Sequence, residues 1–245
     1  MRPGAEREYL SFIEEHRLPI WREMHKRGDV ASLETIRLTR DLKRDEGVPD
    51  WNLLQVGCVP EHGNGAAFFE LERAMVDELF ARQPSLREEQ ASLASILRCE
   101  SLRTTPNSHS PQPIDSVRER YNDTLLSVEC IRVQPEALEH YQELMIRNAG
   151  PASREMHDEG FTFSFIPLET EHVILETEGM PGWNQLHVLA LLPEHTDDFI
   201  GRFSEAITRA NPESGGYDGY FGELDGMRDR PRWSVGRYVA SLRIG

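Results

Sequence analysis

Arg22-Glu23-Met24-His25 recurs 132 residues further on as Arg154-Glu155-Met156-His157. The same offset relates Pro3 to Pro135, Ala5 to Ala137, Tyr9 to Tyr141, Pro19 to Pro151, Gly28 to Gly160, Gly47 to Gly179 and Pro49 to Pro181. It also carries Trp51-Asn52 onto Trp183-Asn184, and Leu54 and Val56 onto Leu186 and Val188. Beyond that point the frame slips, pairing Pro60-Glu61-His62 with Pro193-Glu194-His195 and Ser101-Leu102-Arg103 with Ser241-Leu242-Arg243. One gapless frame of this extent predicts two copies of one module. Each copy is domain-sized, so the repeat is not a solenoid unit. The expected boundaries are 1–104 and 122–245, joined by a linker over 105–121 rich in proline, serine and asparagine.

The second copy reads as a complete unit. Thr124 to Val133 is a run of apolar and β-branched residues ending at Pro135, a strand. From Glu136 to His157 apolar residues fall at helical spacing and Gly150-Pro151 interrupts them, so a bent or two-part helix is expected, as at Leu18-Pro19 in the first copy. A strand follows over Phe161–Ile166, a third over Trp183–Leu192, a helix capped near Thr196 or Asp197, and a last strand over Trp233–Leu242. The order β-α-β-β-α-β is that of a ferredoxin-like unit with its first and third strands central. In the first copy nothing precedes Pro3, so the first strand is missing, and either an upstream segment or another element must cover the open edge. The predicted fold is α+β, two tandem ferredoxin-like modules packed as a single-chain α/β barrel.

Composition bounds the function. The 245 residues carry 42 acidic and 27 basic side chains, a net charge of −15, which argues against polyanionic partners such as nucleic acid or an anionic membrane. No apolar run is long enough to span a bilayer and no secretory leader is visible, so a cytoplasmic location is expected. Cys58, Cys99 and Cys130 read as buried reduced thiols. No spacing of a metal site, phosphate loop or dinucleotide fingerprint is present.

Tyr9-Leu10-Ser11-Phe12-Ile13-Glu14-Glu15-His16-Arg17-Leu18-Pro19, a glycine before the second strand, and Trp51-Asn52-Leu53-Leu54 opening the third give the chain a resemblance to the dimeric α/β barrel superfamily, most of all to its NIPSNAP-type members. That resemblance implies a barrel of two open sheets around a central cavity. It also implies a range of activities that includes cofactor-independent monooxygenases, polyketide cyclases and haem proteins, and it selects none of them.

Strand alternation predicts which residues share a face. Leu186, Val188 and Ala190, with Leu126, Val128 and Cys130, are expected under the helices. Gln185, His187 and Leu189, with Ser127, Glu129 and Ile131, are expected in the cavity. His187 and Glu129 then form a carboxylate–imidazole pair suited to general acid–base work, with Gln185 orienting a substrate. Trp183, Tyr217, Tyr220 and Phe221 are expected to shape the pocket, the last three on a glycine-hinged lid between 211 and 232. The alternative use of that segment is a surface loop or an oligomer contact, and a homo-oligomer stays open as a partner. His25 and His157 read as helix-end residues, and Arg237 as the match of Arg98. The expected function is a metal-free enzyme acting on a small apolar or aromatic molecule. The alternatives are a haem protein ligated by His187 or His157, and a non-enzymatic binding or scaffold protein.

Overall fold

The computed structural model of the chain describes residues 4–60, 64–108 and 123–245. Pro3, His62 and most of the expected linker lie outside the described residues. Along the chain run α1 (Glu6–Phe12), α2 (Leu18–Arg27), β1 (Ser32–Arg44), β2 (Leu53–Cys58), α3 (Gly65–Arg82), α4 (Pro84–Leu93) and β3 (Arg98–Thr104). Then come β4 (Leu125–Val133), α5 (Leu138–Leu144), α6 (Gly150–Asp158), β5 (Thr162–Glu176), β6 (Gln185–Leu191), α7 (Phe199–Ala210), α8 (Gly216–Asp225) and β7 (Arg228–Tyr238).

Proline explains the two divided helices. It has no N–H to donate, and its ring crowds the carbonyl four residues earlier. The chain responds by widening one turn just before each proline: a π-helical turn at Ile13–Arg17 precedes Pro19, and another at Met145–Ala149 precedes Pro151. A wide turn of this kind bends the helix and lets it continue.

The strands form one antiparallel sheet in the order β2-β1-β7-β4-β6-β5-β3. Its two faces bury different cores. On one face Ile131, Val133, Phe165 and Leu189 pack against Tyr141, Leu144, Met156, Phe203, Ile207 and Tyr220 of the overlying helices. On the other, side chains from all seven strands meet one another, including Leu54 and Val56 of one edge strand and Leu102 of the other. The sheet therefore curls until its edges share a core.

Within the curl the rings of Trp51 and Trp183 lie 6.2 Å apart. Arg232 stands over Trp51 and Arg98 over Trp183, each 4.3 Å from the ring centroid. A desolvated contact of this kind is worth about 2 kcal/mol. Glu100, two residues along β3, accepts from both Arg98 and Trp183 Nε1. On the Trp51 side Ser234 stands two residues beyond Arg232, and the carboxylate is Asp41 on the neighbouring β1. By these contacts the counterpart of Arg98 is Arg232 rather than Arg237, which donates to the carbonyl of Asp123 at the surface.

Several expectations need correction. Alternation groups the strand residues as expected, but the faces are exchanged: Leu126, Val128, Cys130, Leu186, Val188 and Ala190 line the curl, and the Glu129–His187 set lies under the helices. Parity tells which residues share a face, and only the position of the helices tells which face is covered. The segment 211–232 is no loop, since α8 and the start of β7 at Arg228 together fill most of it. Tyr217, Tyr220, Phe221 and Leu224 recur at helical spacing and bury one stripe. β5 runs ten residues past Ile166, to Glu176, and β7 begins five residues before Trp233, at Arg228. A register shift between Thr162 and Ser164 sends Phe163 into the curl while Phe161 and Phe165 stay on the helix side. Asp198 precedes α7, with no side-chain cap. Cys58 is exposed, although Cys130 is buried and all three cysteines are free.

The unpaired edges of the sheet are β2 and β3, and α3 touches both. A Cβ on Gly57 of β2 would lie 3.1 Å from the ring of Phe68, and one on Gly65 would lie 3.0 Å from Ser101 Cβ of β3. The first turn of α3 thus rests on both edges and covers part of the opening between them. Among the described residues no helix is long and apolar enough to cross a membrane.

At Gly236 β7 passes too close to β1 for a side chain. A Cβ there would lie 2.5 Å from the carbonyl oxygen of Arg37 and 3.2 Å from Leu38 Cα, both backbone atoms that cannot step aside. Gly236→Ala is expected to destabilise the fold by about 1–3 kcal/mol. A urea titration checks this, as a fall in midpoint at unchanged slope.

Candidate functional site

The helix-covered face carries a small grid of polar side chains. In the β4–β6 ladder Glu129 stands opposite His187 and Ile131 opposite Gln185. In the β6–β5 ladder His187 stands opposite Pro167 and Gln185 opposite Glu169. All six positions share one face because they keep one parity across paired strands. Where α5 and its π-helical turn cross this grid they leave a cleft of about 320 Å³, within the range of small-molecule sites. Its walls include Tyr141, Gln142, Met145, Gln185, His187 and Glu169.

Two further walls come from unexpected places. Residues 105–108 begin the expected linker, yet they are pinned to β5: Thr105 N and Ser108 Oγ both donate to the carbonyl of Pro167, at 3.2 and 3.1 Å. This places Asn107, only 9% exposed, at the cleft. Arg103 contributes the rim and donates through Nε and Nη2 to Glu169 Oε2, at 3.1 and 2.7 Å. Gln142 donates to the same oxygen at 3.0 Å. Three donors on Oε2 orient the Glu169 carboxylate and leave Oε1 for other work.

His187 is 6% exposed and Gln185 2%. Burial, and the nearby charge of Arg228, push the imidazole down to about 3, so His187 is neutral at physiological pH. Its Nε2 lies 3.4 Å from the Tyr141 hydroxyl, and Phe165 meets the ring edge-on. Burial also pushes Tyr141 up, to about 12. The amide nitrogen of Gln185 has no hydrogen-bond partner among the described residues. Glu129 faces the same way as His187 but stands outside the cleft walls. Burial drives its carboxyl up, against the pull of Arg228 and Arg230. Its nearest cation is Arg230, at 3.9 Å.

Of the expected site residues, the structure brings His187 and Gln185 into the cleft and sets Glu129 behind them. Trp183 lies on the opposite face, inside the curl. Tyr217 and Phe221 pack with Phe203, and the Tyr220 hydroxyl donates to Met145 Sδ at 3.1 Å, so these three are core side chains of the helix layer. His157 belongs to the last turn of α6, apart from the cleft. Haem ligation through His187 Nε2 would displace Tyr141, so these residues do not fit a haem. Among the described residues no group of three or more His, Cys, Asp or Glu is placed to hold a metal ion.

Glu169, Arg103, Tyr141 and Gln142 were not singled out from the sequence. Tyr141 stands in the sequence only as the repeat of Tyr9, and Glu169 lies past the expected end of its strand at Ile166. The first half shows what the repeat conceals. There the positions aligned with Gln185 and His187 are Leu53 and the exposed Gln55, and Glu72 accepts from both Arg17 and Trp21 Nε1. No protein-family model matches the chain, and no curated protein matches it.

Gly150, the residue before Pro151, has no room for a side chain, because a Cβ there would collide with Oδ1 of Asn107. Gly150→Ala is expected to push Asn107 and the 105–108 wall outward, lowering stability by about 1–3 kcal/mol. Faster amide exchange at Thr105 and Ser108 is the accompanying sign. A second expectation concerns acid. The unfolded imidazole protonates near pH 6.5, and the folded one only near 3, so between these values the unfolded state holds the extra proton. The contribution of His187 is thus intact above about pH 6.5 and shrinks by about 1.4 kcal/mol per unit as pH falls toward 3. Glu129, with its folded value raised, acts oppositely above its unfolded value, since there the folded state holds the extra proton. Urea titrations across this range should show a shallower acid loss in His187→Gln than in the wild type.

Proposed function

We propose that the chain is a small-molecule enzyme of the single-chain α/β barrel type, built from two ferredoxin-like units, the first one strand short. We further propose that it moves a proton on a largely apolar, carbonyl-bearing and preferably aromatic substrate without a metal. The order β7-β4-β6-β5 supports this reading of the second half, since its first and third strands are central. Matched contacts of Arg98 with Trp183 and of Arg232 with Trp51 support the duplication.

The observation that carries the functional reading is the Gln185 amide, 98% buried, without a hydrogen-bond partner among the described residues and lining the cleft beside a neutral imidazole. A buried donor left unmade costs about 1–3 kcal/mol, and an acceptor oxygen on a ligand relieves it. Met145, Ile146, Pro106 and Pro167 supply apolar walls for the remainder of the molecule. Glu169 is the base. Its carboxylate takes the proton from the carbon next to the substrate carbonyl; the C–H bond breaks, an O–H bond forms on Glu169, and the electron pair moves onto the carbonyl oxygen. Gln185 and His187 hold that oxygen as its charge develops. Return of the proton to a different atom completes an isomerisation or a ring closure. Direct oxygenation of the family's cofactor-free kind would begin with the same deprotonation.

The interior of the curl, where a barrel enzyme of this resemblance would be expected to work, is occupied by Trp51, Trp183, Arg98 and Arg232. The proposed site therefore lies on the other side of the sheet. Phenylacetone in deuterated buffer is a direct probe, because its benzylic hydrogens exchange slowly unaided. The wild type should accelerate that exchange, Glu169→Gln should reduce it by at least about a hundredfold, and Gln185→Leu should raise KM. Exchange no faster than buffer across a panel of small aryl ketones would sink the enzyme reading and favour a non-catalytic binder.

A further inference from the structure

We propose that Arg103 selects substrates carrying a carboxylate at the end remote from their carbonyl, and grips it with the edge of the guanidinium that Glu169 leaves free. The inference rests on the preceding reading for the place of the carbonyl at Gln185 and of the base at Glu169.

The sheet sets the spacing. Gln185 stands opposite Glu169 in the β6–β5 ladder, and Glu169 opposite Arg103 in the β5–β3 ladder, so the three form one row across neighbouring strands. Strands lie about 4.8 Å apart, which puts the backbones of Gln185 and Arg103 about 10 Å from each other with Glu169 midway. Gln185, at the inner end, is 2% exposed, whereas the Arg103 side chain, at the mouth, is 58% exposed. Met145, Ile146 and Pro167 supply apolar wall. An occupant that satisfies the whole row has an acceptor oxygen at its inner end, an apolar body, and a group that accepts from arginine at its outer end.

The chemistry of that outer group follows from the guanidinium. Its five N–H groups only donate, and they lie along two edges that each match a carboxylate. Nε and Nη2, on one edge, donate to Glu169 Oε2. The second edge, formed by Nη1 with the other hydrogen of Nη2, makes no hydrogen bond among the described residues. An exposed arginine is ordinarily a weak anchor, because ordering its long side chain offsets what an ion pair gains. Arg103 is already ordered: Glu169, whose side chain is 11% exposed, holds the guanidinium, and Gln142 holds Glu169. A carboxylate meets the second edge with both oxygens, whereas an ester or a hydroxyl gains only ordinary hydrogen bonds there.

Charge favours the same group during the reaction. Once Glu169 has taken the substrate proton it is neutral, and the cation beside it has lost its counter-charge. A substrate carboxylate on the free edge keeps that cation paired while the enolate forms at the other end of the row. The preference for a carboxylate should therefore appear in the exchange rate as well as in binding.

A matched pair of probes tests this. 4-(2-Oxopropyl)benzoate is phenylacetone with a carboxylate at the far end of the ring, and its methyl ester has nearly the same outline without the charge. Affinity is read by ligand NMR titration of the full chain, and catalysis as kcat/KM for benzylic exchange, divided for each probe by its rate in buffer so that differences in acidity cancel. The wild type should favour the carboxylate about tenfold in both readouts. Arg103→Leu should bring the two probes level, and Arg103→Lys, a point charge without the fork, should keep only part of the preference. Loss of Glu169 orientation in these variants slows both probes alike and leaves their ratio untouched. Should Arg103→Leu fail to fold, Arg103→Gln replaces it. Equal affinity of the wild type for the two probes, no measurable binding of the carboxylate, or a preference that survives in Arg103→Leu overturns the proposal. A binding preference that depends on Arg103, together with no catalysed exchange of either probe, would remove the enzyme reading and leave the role of Arg103 standing. Catalysed exchange without a preference would do the reverse.

Discussion

Two tryptophans 6.2 Å apart, each under an arginine, organise the sheet. Trp51 leads into the edge strand β2 and Trp183 into the interior strand β6, so their contact folds one margin of the sheet over its middle. The arginines come from β7 and β3, which ties the other edge into the same stack. Each guanidinium leaves water only because a carboxylate and an aromatic face replace it, Glu100 on one side and Asp41 on the other. A sheet closed in this way has one face already spent on itself. Whatever polar chemistry the strands carry must emerge on the opposite face, beneath the helices.

That consequence shapes the cleft. His187 and Gln185 sit on a central strand, covered by α5 and almost fully buried at the floor of the cleft, and a buried polar group must find a partner or remain a liability. His187 finds one in Tyr141. Gln185 does not find one for its amide nitrogen. The positions that the sequence repeat aligns with Gln185 and His187 are Leu53 and Gln55, and Gln55 is exposed, so no buried polar pair arises there. The wide helical turn before Pro151 contributes to the opening, since Met145 and Ile146 of that turn stand in its wall.

The sequence carried a good part of this. Pro19 and Pro151 announced two interrupted helices, and the alternation in Leu125–Val133 and Gln185–Leu191 grouped His187 with Glu129 and Gln185. What alternation does not contain is the side on which the helices land, so the two faces were exchanged. Long-range register was also hidden: Glu169 enters the site only because β5 continues past Ile166 to pair with the start of β6. Arg228 lies in a stretch whose glycines suggested a loop, although Tyr217, Tyr220, Phe221 and Leu224 already had helical spacing. Arg103 and Asn107 reach the cleft through a tertiary contact with Pro167, and nothing local in a Thr-Thr-Pro-Asn segment signals that.

The placement of His187 under the helices, away from the tryptophan stack, is the claim on which the remainder depends. Nuclear Overhauser contacts from its ring protons test it directly. They should reach the rings of Phe165 and Tyr141, whose centroids lie 5.7 and 6.4 Å away. Contacts to the indoles of Trp51 or Trp183 instead would put the histidine inside the curl and contradict the account.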